Sequence, residues 1–234
     1  MLLALISLVL TTILLYLSSH SLIKNLIKLF YRLSHSHSTA VNLLFFLFLP
    51  GIFLHEFAHI LAAELLQVPT GHLHLKPQYQ DGQLRLGSAQ IAQTDPLRLS
   101  LIGTFPFILG TFILWLLLRF ALNIHLSSLT LTNLIPQLIL AVKQLPLLSL
   151  LAIIYLLSAI ANTMFSSPSD LQSAGLPVIL LIIILTTLKL AHITLPFPFS
   201  TYLINLFFLL STIFSLTLFL NLILLLPLKL LNRR

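Results

Sequence analysis

One short motif in the chain has residue types and spacing suited to metal-dependent hydrolysis: His55-Glu56-Phe57-Ala58-His59. Residues four apart lie on one face of an α-helix, so His55 and His59 can direct imidazole nitrogens at the same ion. Glu56 is offset by one position, from which it can reach a water molecule without taking a ligand position. Zinc hydrolases combine two His ligands with a Glu general base, and their metal lowers the pKa of its water to about 7. The motif therefore predicts Zn²⁺ as cofactor, His55 and His59 as metal ligands, and Glu56 as the catalytic residue.

Carboxylates are rare in this chain, and two of them occur in an unexpected setting. The five are Glu56, Glu64, Asp81, Asp95 and Asp170. Glu56 lies within a long apolar run, and Asp170 lies in a short polar turn that adjoins one. A charged residue at the centre of a membrane span costs about 2.5–3.5 kcal/mol on insertion scales, so intramembrane carboxylates indicate function. The alternative for Glu56 is that it neutralises a buried histidine or faces a polar seam between helices.

A catalytic zinc ion usually has three protein ligands, and Asp170 is the predicted third. It closes the polar turn Ser166-Ser167-Pro168-Ser169-Asp170 at the end of the predicted fourth span. Since one span separates the second and fourth spans, both run in the same direction. His55, His59 and Asp170 would then lie towards the same side of the membrane. The alternative is that Asp170 caps the next helix.

Other candidate ligands are less suitable. Glu64 lies five residues after His59, about 140° around the helix, so it is expected to point elsewhere. His72 and His74 share one face of a predicted strand, where solvated side chains are the simpler interpretation.

Composition places the whole chain in a membrane. Of its 234 residues, 58% are hydrophobic and 7% charged, and the mean hydropathy is +1.07. A soluble domain carries about a quarter charged residues. There are no cysteines, which excludes thiolate metal sites and disulfides. The net charge of +7 comes from basic residues scattered between apolar segments, which favours lipid headgroups over nucleic acid as the counter-charge.

The predicted fold class is an all-α polytopic membrane protein with about six transmembrane helices. The predicted spans are 2–18, 41–66, 99–118, 145–165, 174–188 and 203–226. Residues 19–38 are predicted as a separate interfacial amphipathic helix, because Lys24, Lys28 and Arg32 recur every fourth residue. On six spans the Lys and Arg residues divide evenly between the two membrane faces, so the positive-inside rule decides no orientation.

A small β-hairpin is predicted directly after the second span. Residues 71–91 alternate apolar and polar side chains around Asp81-Gly82, a pair typical of a type I′ turn. Because open sheet edges cannot face lipid, the hairpin must lie at a membrane face or against protein.

These elements divide the chain into three parts: a first span with its interfacial helix (1–40), a membrane-embedded core (41–190), and a last span with a basic tail (191–234).

Together, the His55–His59 motif and a second motif that begins at Asn162 make residues 41–190 resemble the site-2 protease family of intramembrane zinc metalloproteases. That family combines H-E-x-x-H in one span with N-x-x-P-x-x-x-x-D-G in a later span. The second motif is similar to Asn162-Thr163-Met164-Phe165-Ser166-Ser167-Pro168-Ser169-Asp170-Leu171. The eight-residue spacing from Asn162 to Asp170 matches, while Phe165 replaces the family's proline and Leu171 its glycine.

The resemblance implies a divergent, minimal endopeptidase that hydrolyses peptide bonds of membrane-spanning substrates. It also implies that the hairpin lies near the active site, where it could pair with an unwound substrate strand. Asn162 is the predicted substrate-binding residue, with hydrogen bonding between helices as its alternative. The expected partners are a transmembrane protein or peptide substrate and the lipid bilayer, and the expected location is the cell (plasma) membrane. Two other functions stay open: a zinc hydrolase of a lipid-linked substrate, and a transporter or scaffold that uses the cluster as an ion or proton site.

Overall fold

The computed structural model describes residues 2–80, 83–121, 136–137, 139–140, 143–164, 179–180, 183–184, 186–187, 190 and 197–232. The long helices of these residues are α1 (Leu2–Ser34), α2 (His37–Leu65), α3 (Pro96–Leu116), α4 (Leu147–Thr163) and α5 (Phe197–Leu231). A π-helical turn, Leu117–Ala121, extends α3. Four strands lie between α2 and α3: β1 (Thr70–His74), β2 (Gln78–Gln80), β3 (Gln83–Arg85) and β4 (Ser88–Ile91).

Length and composition make four of these helices candidate membrane spans. They are Leu3–Ser34, His37–Leu65, Pro96–Phe120 and Thr201–Leu231. α4 is shorter, at 17 residues, and equally apolar. In the part of the chain that the structure describes, the prediction of a mostly helical fold is therefore confirmed, and four helices are long and apolar enough to cross a membrane. The predicted span 174–188 lies mostly outside the described residues.

The contacts between helices fix their relative directions. α1 and α5 run parallel, because Ser18 contacts Asn221 while Arg32, further along α1, donates to the Leu231 carbonyl. α2 runs antiparallel to α1, as expected across the short connection at Ser36. α4 runs parallel to α2: Phe48 lines one cavity with Leu151 and Tyr155, whereas Gly51 contacts Ala159 and Thr163. This is the common direction that the sequence argument required of the second and fourth spans.

The same contacts contradict a count of six spans. Asn162, near the end of α4, bonds Asn221, whereas Leu151, near its start, lines a cavity with Pro227 and Leu228 of α5. α4 and α5 are therefore antiparallel, and α4 ends on the side of the bundle where α5 begins. Six spans would require these two helices to be parallel. We call the side where α2 ends and α3 begins the hairpin side, and the other the opposite side.

The predicted interfacial helix at 19–38 is not a separate element. α1 continues through it to Ser34, because no Gly or Pro interrupts the chain there. Its apolar residues pack against protein: Ile23, Leu26 and Phe30 join the cluster centred on Leu44 and Phe48 of α2. The apolar face that the sequence pattern predicted to lie at the membrane interface therefore packs against α2.

The predicted hairpin is present and is longer by one residue at its start. β1 pairs with β4 and β2 with β3, both antiparallel. Gln80 pairs with Gln83, which leaves two connecting residues, Asp81 and Gly82. These two fall outside the described residues, so the type I′ turn stays a prediction.

Asp95 begins α3 as its N-cap, with Pro96 at the first helical position. Its Oδ1 accepts from the Arg98 backbone N–H at 2.9 Å, and the Arg98 side chain lies 3.3 Å from its Oδ2. The backbone hydrogen bond holds the pKa of Asp95 below its ordinary value, and the guanidinium adds to this. The cap fixes where α3 starts on the hairpin side, and therefore which of its residues face α2.

Candidate metal centre

The two predicted histidine ligands converge in the interior of the protein. His55 is 4% exposed and His59 8% exposed, on the stripe of α2 that also packs Phe48, Ile52 and Ala62 against other helices. Their rings meet edge to face, and the two Nε2 atoms are 3.2 Å apart. The i, i+4 spacing of the motif therefore brings both nitrogens to one point, as predicted.

This separation fits a shared tetrahedral ion. Two nitrogens bound to one zinc ion at about 2.0–2.1 Å lie about 3.3–3.4 Å apart. The other ring nitrogen of His59, Nδ1, lies 3.1 Å from the carbonyl oxygen of Ile102 on α3. Since a carbonyl only accepts, Nδ1 carries the proton, and Nε2 of the neutral ring keeps its lone pair. Metal-binding histidines are generally oriented in this way.

Glu56 lies beside this pair and under the hairpin. It is 7% exposed, and its side chain contacts the bend between β3 and β4. A Cβ atom added to Gly87 would lie 2.9 Å from Glu56 Cγ and 3.0 Å from its Oε1. Only glycine lets the backbone come this close to the carboxylate. The sequence predicts a hairpin near the motif through family resemblance, but it gives no sign that Gly87 is the residue in contact.

The site lies near the hairpin side, and two helices give the same depth. His59 is six residues before the end of α2 and Ile102 is six residues after the start of α3. At 1.5 Å per residue, each is about 9 Å from the helix end. The buried imidazoles therefore lie about two helical turns from the hairpin side.

The predicted third ligand, Asp170, lies outside the described residues. Among the residues that the structure does describe, no further His, Asp or Glu joins His55 and His59 to form a group of three. Glu64 is exposed and accepts from the Thr70 hydroxyl at 2.7 Å, so it points away from the pair, as expected. His72 and His74 are exposed on β1, where their rings contact each other.

Asn162, the predicted substrate-binding residue, lies between helices. It is 1% exposed and exchanges two hydrogen bonds with Asn221 of α5, at 2.9 and 2.8 Å. Asn221 also donates to Ser18 of α1 at 3.1 Å. These bonds correspond to the alternative of interhelical hydrogen bonding. Sequence reasoning missed Asn221 and Ser18, which are single polar residues in apolar segments.

Gly51 marks the point where α2 and α4 cross. A Cβ atom there would clash with the Ala159 carbonyl oxygen and the Thr163 hydroxyl. The small residue thus allows close contact of the two backbones one turn before His55.

The chain matches no model of a protein family, no curated protein and no solved structure.

Proposed function

We propose that this chain is a membrane-embedded, zinc-dependent endopeptidase similar to site-2 proteases. The observation that carries the proposal is the convergence of His55 and His59, whose Nε2 atoms lie 3.2 Å apart inside a candidate membrane span. Two adjacent buried imidazoles and a buried carboxylate are costly in an apolar helix, and a shared cation offsets that cost.

The residues divide the chemistry between them. His55, His59 and Asp170 would hold Zn²⁺, which supplies a Lewis acid for the scissile carbonyl and lowers the pKa of water. Glu56 takes the proton from the attacking water and delivers it to the leaving amine nitrogen. The hairpin over Glu56 offers backbone groups to an unwound substrate segment. Asn162 as a substrate contact and the cell membrane as location stay predictions.

Chain length supports Asp170 as the third ligand. Thr163 lies opposite Gly51, and His55 and His59 are four and eight residues further along α2. The pair is therefore displaced by about 6–12 Å towards the hairpin side, the direction in which α4 points. The six residue-to-residue steps from Met164 to Asp170 cover about 9 Å as helix and at most about 20 Å when extended. Asp170 is thus within reach of the imidazole pair.

The first experiment tests Glu56 in purified protein with a transmembrane peptide substrate. Glu56→Gln is expected to keep bound zinc and to lower turnover by about 10²–10⁴-fold, because the general base is lost and the ligands remain. Glu64→Gln is the matched control, since Glu64 is an exposed glutamate on the same helix. Equal cleavage by Glu56→Gln and the parent would refute the mechanism. Absence of bound zinc in the parent would refute the metal centre.

The second experiment tests the ligand set by zinc titration. Asp170→Ala is expected to weaken zinc binding sharply, because a zinc ion then keeps two protein ligands instead of three. Glu64→Ala and His72→Ala should bind zinc like the parent. The opposite order would show that Asp170 is the wrong third ligand.

The same preparations distinguish the other two functions. Glu56-dependent hydrolysis of a lipid ester or amide, without peptide cleavage, would indicate a lipid-linked substrate. Zinc binding without hydrolysis of either class, combined with ion flux in vesicles, would indicate a transporter.

A further inference from the structure

A proline in α3 explains why a backbone carbonyl is available to orient His59. In an α-helix each carbonyl accepts from the N–H four residues later. Four residues after Ile102 is Pro106, which lies inside α3 and has no N–H. The Ile102 carbonyl therefore lacks its ordinary helical donor. It is this carbonyl, on the neighbouring helix, that accepts from His59 Nδ1 at 3.1 Å.

The hydrogen bond between the Ile102 carbonyl and His59 is buried, so water cannot take the place of either partner. Ile102 is 1% exposed and Pro106 is buried, so water does not replace the missing donor. A buried carbonyl without a donor is destabilising, because it loses its hydrogen bond to water and gains none in the protein. A proline ring also pushes against the carbonyl four residues before it, which turns that oxygen away from the helix axis. Both effects favour a donor from outside α3, and His59 supplies it.

We infer that Pro106 is a positioning residue for the candidate metal centre. Because Pro106 has no N–H, the Ile102 carbonyl is available to accept a hydrogen bond from His59 Nδ1. This hydrogen bond keeps the proton on Nδ1 and directs the Nε2 lone pair at His55. Its effect on zinc rests on the proposed function, whereas its effect on the imidazole does not. Partners of this kind typically change metal affinity by about 10–100-fold.

The test is Pro106→Ala, which restores an N–H that competes for the Ile102 carbonyl. Ring-nitrogen NMR shifts of His59 in metal-free protein, assigned with His59→Asn, report which nitrogen carries the proton. We expect the Nδ1–H form to lose population and zinc affinity to fall about tenfold. The lower end of the range applies because a carbonyl has two lone pairs and can accept from both donors.

Two further variants separate this role from simple straightening of a helix. Pro227→Ala removes the proline inside α5 and should leave the His59 shifts and zinc affinity unchanged. Pro106→lactic acid lacks both the ring and the N–H, and should keep the parental His59 tautomer. The inference is overturned if Pro106→Ala leaves the tautomer unchanged, or if Pro227→Ala or the lactic acid variant alters it equally. A parent that binds no zinc would refute the proposed function, while the NMR comparison would still decide the role of Pro106.

Discussion

At the residue scale, the candidate metal centre depends on a glycine, Gly87, as well as on the side chains of its own motif. His55, Glu56 and His59 are buried on one helix, and the hairpin approaches them through Gly87, which has no Cβ. Because Gly87 carries a hydrogen atom in place of a Cβ, the hairpin backbone can lie close to the Glu56 carboxylate. The same residue limits the space in which a water molecule and a substrate carbonyl could meet Glu56.

Gly87→Ala is expected to lower turnover about 10-fold or more while zinc stays bound. The new Cβ would lie 2.9–3.0 Å from Glu56 side-chain atoms, so the carboxylate or the hairpin must move. Misplacement by about 1 Å can cost 10²-fold in rate. Turnover and bound zinc would be measured together.

Gly71→Ala is the matched control in the same hairpin. Its Cβ would lie 2.8 Å from Gln90 Oε1, at the exposed end of a side chain that can rotate away, and 3.0 Å from Gln90 Cβ, and Gln90 is not part of the candidate metal centre. Equal losses in the two variants would indicate general damage to the hairpin instead of contact with Glu56.

At the element scale, the helix crossing between α2 and α4 connects the histidine pair to the segment that carries Asp170. Gly51 permits the crossing, because the Ala159 backbone and the Thr163 hydroxyl occupy the space of its missing side chain. On the other side of α4, Asn162 and Asn221 join it to α5. α4 is therefore held in position along its axis by close packing on one face and paired amides on another.

Gly51→Ala is expected to lower stability and weaken zinc binding together. Alanine gains about 0.5–1 kcal/mol over glycine in a helix, whereas overpacking costs about 1–3 kcal/mol. The second effect should dominate here because the clash includes a backbone carbonyl, which cannot change rotamer. Thermal unfolding in detergent and zinc titration measure the two effects.

Gly110→Ala is the control for that prediction. Its Cβ would contact Met164 side-chain atoms at 2.9–3.3 Å, and methionine adapts readily. A loss of stability for Gly110→Ala as large as for Gly51→Ala would contradict the view that the α2–α4 crossing is specifically tight.

At the scale of the whole molecule, the antiparallel arrangement of α4 and α5 decides which charges share a membrane face. The described basic residues on the opposite side are Lys24, Lys28, Arg32, Arg119, Lys143 and Lys229, and those on the hairpin side are Lys76, Arg85 and Arg98. Six spans would divide these nine described residues five against four, and the observed helix directions divide them six against three. On this count the positive-inside rule predicts that the opposite side is cytoplasmic and that the hairpin side, with the candidate metal centre, lies at the other membrane face.

Single cysteines test this orientation, since the chain has none of its own. In intact cells an impermeant thiol reagent should label Gln93→Cys, which is exposed on the hairpin side. It should label Ser38→Cys, at the start of α2, only after the membrane is opened. The reverse pattern would invert the orientation, and labelling of both residues from outside would contradict the helix directions.

The sequence by itself determined the apolar, mostly helical class, the hairpin, and the helix face that His55 and His59 share. Each depends on information local to the chain: hydropathy over about 20 residues, alternation around a turn, and the i, i+4 geometry of one helix. Such patterns fix which groups share a face, and His55 and His59 lie together for that reason.

Only the tertiary structure decided the direction of α5, the continuation of α1 through its amphipathic part, and the partners of the motif. The contact of Gly87 with Glu56, the bond from His59 to Ile102 and the Asn162–Asn221 pair all join residues distant in sequence. A single apolar segment reads the same in either direction across a bilayer, so hydropathy cannot give its orientation. Packing against α1 and α4 supplies it, because side chains of defined shape and hydrogen-bonding capacity fit only one way.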